Sequence, residues 1–404
     1  MLNKKVIKGS IVLFIAFGLF NFFNFIYQFA MARFLSIVEY GILAALFSII
    51  YIFSVFSESI QTVIAKYTAS IENKGQLKNL LNRSMKKGSI LGLKLLGVYL
   101  LLSLFLSYLS KIPYFLLAIN GLVMYIVFLL PVSRGAIQGR KNFFGLGTNL
   151  VVESLLKILF SIGLVLIGWK VYGAIIGVVL GTLVAFVLSF ISLRDIYKSE
   201  DEKFNADGIY SYAKPTIFIT AIVVLFYSAD VILAKILFSP EIAGSYAIAS
   251  ILGKVIFWSS VPIGKAMFPL SAESNKQGKL RGDVFATTIL ILAILILGIL
   301  TVFYLFSDWI VLLFSGKNIP DSSSVLFYLG TAFSIISIAN VILLYQLSIG
   351  KIRKYGFLTV CNFIQLLLLL LFSQSLKMFS IAFIGSSVIF LIGAILFSRA
   401  NRHI

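Results

Sequence analysis

The chain has one cysteine, Cys361, and one histidine, His403, among 404 residues. No intrachain disulfide can form, and no His or Cys metal cluster, Ser-His pair or Cys-His nucleophile can be assembled. Cys361 reads as a small packing residue within a helix. Charge is scarce as well: 12% of residues are charged, against about 25% in soluble domains. A Gly-rich phosphate loop of the GxxxxGK[ST] type is missing. Gly253-Lys254, Gly264-Lys265, Gly316-Lys317 and Gly350-Lys351 lack either the upstream glycine or the following Ser/Thr. The sequence therefore offers no site for an ATP-hydrolysing motor.

What fills the chain instead is apolar: 60% of residues are hydrophobic, where soluble domains have roughly 45–50%. Crossing a hydrocarbon core takes about 20 apolar residues, and twelve such runs are legible, near 10–32, 40–64, 89–109, 113–133, 147–168, 172–193, 210–234, 242–264, 284–306, 324–348, 355–373 and 378–398. This is an all-α integral membrane protein. Lys4, Lys5 and Lys8 precede the first run. No clear small-residue cleavage site follows it, so it reads as a retained span and not a signal peptide. Six runs lie before the charged segment Arg194 to Asp207 and six after it. That segment divides the chain into residues 1–203 and 204–404, two lobes of six helices.

Lys and Arg give an orientation. With both termini cytoplasmic, inner segments hold 25 of the 34 basic residues, outer segments six, and spans three, namely Lys94, Lys157 and Lys254. The formal net charge of +19 is then an insertion signal and an attraction to anionic lipid, and nucleic acid need not be invoked. Outer connections are all short, which leaves no room for the catalytic domain of a membrane glycosyltransferase. Lys66 to Gly88 reads as an amphipathic helix on the inner surface.

The lobes echo each other. Arg33 to Gly41, RFLSIVEYG, returns near Ala234 to Tyr246, AKILFSPEIAGSY. A shift of 202 positions puts Arg33 on Lys235, Leu35 on Leu237 and Glu39 on Glu241, and Gly41 meets Gly244 after a small insertion. Internal duplication is how many transporter folds are built. RFLSIVEYG, SRGAIQGRKNFFGLG (Ser133 to Gly147) and SPEIAGSYAIASILG (Ser239 to Gly253), in this order, resemble the polysaccharide-transporter or oligosaccharide-flippase branch of the multidrug/oligosaccharidyl-lipid/polysaccharide exporter superfamily. The resemblance implies twelve transmembrane helices in two six-helix lobes related by a pseudo-twofold axis along the membrane normal. It also implies a central cavity and movement of a lipid-linked sugar from inner to outer leaflet by alternating access, with no cofactor.

Candidate site residues follow from polar groups within or beside spans. Asn21, Asn24 and Gln28 recur at i, i+3 and i+7 on one helical face, which reads either as interhelical hydrogen bonding or as a polar cavity wall. Gln28 falls on Asp230 under the 202-residue shift. Asp230 and Glu153 are carboxylates inside spans and the candidates for coupling to a cation, H+ or Na+. Glu153 and Lys157 are spaced for an intrahelical pair. Arg134, Gly135, Gly139, Arg140 and Lys141 read as a tight basic turn on the cytoplasmic side. Its cations either enforce topology or capture a lipid pyrophosphate at the inner leaflet. Lys94 lies near the inner end of its span and reads as snorkelling. Lys254 sits near the middle of its span with no acidic residue within four positions, and a cation there reads either as a functional site or as paired with a carboxylate such as Glu153 from another helix. With Arg33 and Lys235 it completes the expected substrate-binding set. The favoured reading is a flippase for a polyprenyl-(pyro)phosphate-linked oligosaccharide. The alternatives are a cation-coupled multidrug exporter of the same superfamily and an envelope-assembly scaffold that transports nothing.

Overall fold

The computed structural model describes residues 4–204, 214–276, 282–349 and 355–400, and among them there are helices and no strands. The helices are α1 (Lys4–Phe34), α2 (Ile37–Ser70), α3 (Lys74–Ser110), α4 (Tyr114–Ile126), α5 (Leu130–Gly139), α6 (Phe143–Leu164), α7 (Lys170–Ser189) and α8 (Arg194–Tyr197), then α9 (Lys214–Leu237), α10 (Pro240–Lys276), α11 (Gly282–Ser315), α12 (Pro320–Ser348), α13 (Leu358–Leu371) and α14 (Leu376–Ala400). Ten helical stretches are long and apolar enough to cross a membrane. One of them, Phe143–Tyr197, contains both α6 and α7, and α13 is a further, shorter apolar helix. With α6 and α7 taken apart and α13 added, the described residues of each of the twelve apolar runs lie mainly on helix. The protein is a multi-pass membrane protein.

Two compact units form. One comprises Met1–Glu39 and Ile49–Ile217, the other Tyr40–Ser48 and Phe218–Ile404. In the first unit, α6 and α7 make an antiparallel hairpin that reverses at Gly168, where φ is 97°, a conformation glycine adopts without penalty. Gly177 and Gly181 lie against the Ser161 and Lys157 backbones, and the Asn149 side-chain amide donates to the Ala185 carbonyl at 2.7 Å. Between spans with lipid on their outer faces, small residues permit this close van der Waals contact.

The fourth apolar run is broken at 127–129 into α4 and α5, with Pro131 in the first turn of α5. A proline is tolerated there because the first helical N–H groups have no intrahelical partner. Gly135 and Gly139 are not turn residues, as the sequence suggested. They sit four apart in α5 and let it pack on the α2 backbone: a Cβ on Gly135 would lie 2.7 Å from the Gln61 carbonyl oxygen, and one on Gly139 2.5 Å from that of Ala65. The turn comes at Arg140 to Asn142, with Lys141 at φ 59°, and the Asn142 carboxamide oxygen accepts from the Gly145 N–H at 2.9 Å to cap α6. We expect Gly139→Ala to destabilise the protein by about 1–3 kcal/mol, the usual cost of overpacking. A melting curve of the detergent-solubilised variant unchanged from the parent would refute this.

Lys66 to Gly88 does not form a separate surface helix. Its first part ends α2, Asn73 caps α3 by accepting from the Gly75 N–H at 2.7 Å, and the remainder runs without interruption into the third span. Leu77, Leu80 and Leu81 of this stretch are buried against Ile64, Ile137 and Ile196. The charged segment after α7 lies along the same stretch of α3. Asp195 takes both Arg140 guanidinium nitrogens at 2.7 and 2.9 Å and the Lys74 ammonium at 3.1 Å. Asp201 accepts from Asn79 at 2.6 Å, and the Phe204 carbonyl accepts from Arg83 at 2.9 Å. Residues 205–207 of that segment lie outside the described residues.

Candidate functional site

In the second unit α9 and α10 face each other through a polar cluster that is closed to solvent. The repeated basic-turn-acidic signature is a helix end followed by a helix start. Lys235 is in the last turn of α9 and Glu241 in the first turn of α10, complementing the helix dipoles. Arg33 and Glu39 hold the same places on α1 and α2, where Ser36 and Glu39 make a full capping box. From Pro240 onward α10 presents Tyr246, Ser250 and Lys254 at i, i+4 and i+8, one face of the helix.

All three reach Asp230. The Ser250 hydroxyl donates to Oδ2 at 2.6 Å, the Tyr246 hydroxyl donates to the same oxygen at 3.3 Å, and the Lys254 ammonium donates to Oδ1 at 3.3 Å. Asp230 is 0% exposed and Lys254 1%. The Phe333 ring lies 5.5 Å from the ammonium. Lys254 is thus the opposite of an uncompensated cation: its partner comes from the neighbouring helix, 24 residues back in sequence. It is deeper in α10 than Tyr246 by two turns, and long helical side chains point back toward the N-terminus, which carries the ammonium up to the level of Asp230. Burying either charge alone would be costly, and the geometry satisfies both.

The first unit has a neutral counterpart and a charged cluster. Gln28, buried near the end of α1, is hydrogen-bonded to Tyr51 of α2. Gln28 aligns with Asp230 at a shift of 202, and Tyr51 aligns with Lys254 at 203, the register that also aligns Gly41 with Gly244. An amide–phenol pair therefore stands in one unit where a carboxylate–ammonium pair stands in the other. The rest of the α1 polar face is graded. Asn24 is half-buried and donates to the carbonyl of Phe20 in its own helix at 2.8 Å, and Asn21 is exposed.

Arg134 is not on the basic turn. The Gly135 and Gly139 contacts seat α5 on α2, and Arg134 projects from α5 into the unit, where it is buried. Its Nε donates to the Asn149 carboxamide oxygen at 2.8 Å, and its Nη2 is paired with Glu153 Oε2. Lys157 makes the expected intrahelical pair with Glu153 Oε1, and the Thr182 hydroxyl donates to that oxygen at 3.3 Å. Asn149, Thr182, Tyr246 and Ser250 were not singled out from the sequence. Their i±4 spacing to Glu153 and Lys254 was the available signal for Asn149 and Ser250, while Thr182 comes from another helix. Arg140 and Lys141 are exposed at the turn, with Arg140 held by Asp195. Arg33 is exposed, its guanidinium 4.5 Å from the Phe29 ring centroid, whereas Lys235 is buried. Among the described residues no group of three or more His, Cys, Asp or Glu could hold a metal ion.

A family model described as polysaccharide biosynthesis protein matches residues 30–323. No curated protein matches. In fold the chain is similar to an inward-facing multidrug resistance MATE family transporter of the MOP superfamily, at 14% identity over 94% of this chain and 93% of that one, with a TM-score of 0.78. It is similar to the lipid II flippase MurJ in its inward closed conformation, at 13% identity over 96% and 87%, TM-score 0.73. It is also similar to a MOP superfamily transporter from Pyrococcus furiosus with a binding pocket described as reversed in polarity, at 16% identity over 98% and 95%, TM-score 0.64. With the family model spanning well over half of its length, this chain, which has the MOP-superfamily fold, belongs to the polysaccharide biosynthesis protein family.

Proposed function

We propose that the protein is a flippase for a lipid-linked oligosaccharide carried on a polyprenyl phosphate or pyrophosphate. It would move this substrate from inner to outer leaflet by alternating access of lobes 1–203 and 204–404, with both termini cytoplasmic. The observation that carries this reading is the sign of the buried charge. In the first unit Arg134 and Lys157 share one buried carboxylate, Glu153. An excess of cations there favours a phosphate-bearing substrate, since phosphate is recognised by charge-assisted hydrogen bonds from Arg and Lys. It disfavours the cationic drugs that a multidrug exporter would carry. Membership of a polysaccharide biosynthesis family and the likeness in fold to a lipid II flippase support the same substrate class.

The likeness to multidrug MATE transporters keeps the exporter as the second reading. The two separate in one reconstituted system. Proteoliposomes would carry a fluorescent polyprenyl-pyrophosphate sugar on one leaflet, and bleaching by membrane-impermeant dithionite would report its movement. Parallel vesicles would be tested for ethidium accumulation under a proton or sodium gradient. We expect glycolipid movement at least severalfold above protein-free vesicles and no ethidium accumulation. Ethidium transport without glycolipid movement would overturn the proposal.

A further inference from the structure

The α5–α6 cluster does not balance its own charge. Arg134 and Lys157 contribute two positive charges and Glu153 one negative charge, and among the described residues no second carboxylate is ion-paired with either cation. Glu153 Oε2 receives Arg134, Oε1 receives Lys157 and Thr182, and the Asn149 oxygen receives Arg134 Nε while its amide is used on Ala185. One unit of positive charge is left over in an apolar unit, and a surplus cation within a span is costly unless an anion meets it.

The two cations differ in how they can meet one. Arg134 is fixed at two points and its side chain is 9% exposed. Lys157 is 15% exposed; its ammonium has three donors, one of them used on Glu153. It lies 5.9 Å from the centroid of the Phe20 ring on α1. Phe20 is one turn below Asn24, whose amide is occupied by the Phe20 carbonyl, so the α1 side of Lys157 offers it a ring face and no competing anion.

We infer that Lys157 is a phosphate-binding residue of the first unit, with Glu153 the counter-charge that stabilises the cluster when no anion is bound and Arg134 the anchor that holds Glu153. This rests on the proposed reading that the substrate carries phosphate, but it names the residue and predicts a sign. Substituting Lys157 should weaken anion binding, and substituting Glu153, which raises the surplus from one charge to two, should strengthen it.

The test uses the purified full-length chain in detergent with three probes: inorganic pyrophosphate, a polyprenyl pyrophosphate and the uncharged polyprenol. Binding is read by thermophoresis and by the shift in melting temperature. We expect Lys157→Gln to lose about tenfold in affinity for the polyprenyl pyrophosphate, equivalent to one charge-assisted hydrogen bond. Lys157→Arg should retain most of it, and none of these proteins should discriminate on polyprenol. Glu153→Gln should melt lower than the parent without anion, bind anion more tightly and gain more on adding it. Competition by inorganic pyrophosphate would assign the site to phosphate as such, and competition only by the lipid form would assign it to the lipid headgroup. The inference is overturned if Lys157→Gln binds like the parent, if Glu153→Gln weakens binding as Lys157→Gln does, or if the parent binds neither phosphate probe. Failure of glycolipid movement in vesicles with this pattern of binding intact would instead count against the flippase reading alone.

Discussion

Replacing Lys254 with alanine should destabilise the protein by about 3–5 kcal/mol, the range for removing one partner of a buried ion pair. Asp230, 0% exposed, would keep its bonds from Ser250 and Tyr246 but lose the ammonium with which it is ion-paired. Two hydroxyl donors do not neutralise a carboxylate held away from water. Asp230→Ala should be comparably harmful, because it leaves the buried ammonium, 5.5 Å from the Phe333 ring centroid, without its carboxylate. The double variant Asp230→Asn/Lys254→Gln carries no buried charge and should recover most of the loss, since uncharged replacement of a whole buried pair is often neutral or better. The measurement is thermal unfolding of each variant, with membrane levels as a check on insertion. A Lys254→Ala protein as stable as the parent, or a double variant no better than the worse single, would show that the pair does not hold the second unit together. Normal stability with lost glycolipid movement would return Lys254 to the substrate path, the role that the sequence suggested for it.

How much of this could be read beforehand depended on what sets each feature. Helix positions were legible because bilayer thickness imposes a length of about 20 apolar residues, and the described residues of the twelve runs lie mainly on helix. The break between α4 and α5 was hidden inside one run, since both halves are apolar. Arg134 read as part of a surface turn because Gly135, Gly139, Arg140 and Lys141 crowd beside it. The i, i+4 spacing of the two glycines was in fact the mark of a helix packed on a helix, and that packing aims Arg134 inward. A partner for Lys254 on another helix was one of the readings its sequence position allowed, with Glu153 the example; the partner is Asp230 of the preceding helix, and Glu153 is taken by Arg134 and Lys157. The internal repeat held the answer in part. Gln28 and Asp230 had been aligned, but the small insertion between the copies moves Lys254 onto Tyr51, the residue hydrogen-bonded to Gln28.

The repeat also leads to the second large effect, at Gly41. The two glycines that the sequence aligns, Gly41 and Gly244, touch within the second unit: a Cβ on Gly41 would lie 2.8 Å from the Gly244 Cα and 3.0 Å from its nitrogen. Both obstacles are backbone, so no rotamer change can relieve the clash, and the helices must separate. Their first turns are fixed, α2 by the Ser36–Glu39 capping box and α10 by the Ala243 N–H donating to the Ser239 carbonyl at 2.9 Å, and separation would pull on both. Gly18, within α1, has nothing within 4 Å of the equivalent Cβ. Helix propensity alone favours alanine over glycine by about 1 kcal/mol, so Gly18→Ala should leave the protein as stable or slightly more stable. Gly41→Ala should do the reverse, and Gly41→Leu should be worse again, by about 1–3 kcal/mol or more. The comparison is between signs at two glycines in the same membrane protein, read as melting temperature and as the monodisperse fraction on size exclusion. If Gly41→Ala is stabilised to the same degree as Gly18→Ala, the contact between the two copies of the motif is loose enough to admit a methyl group, and the glycine at that point of the repeat has no packing role.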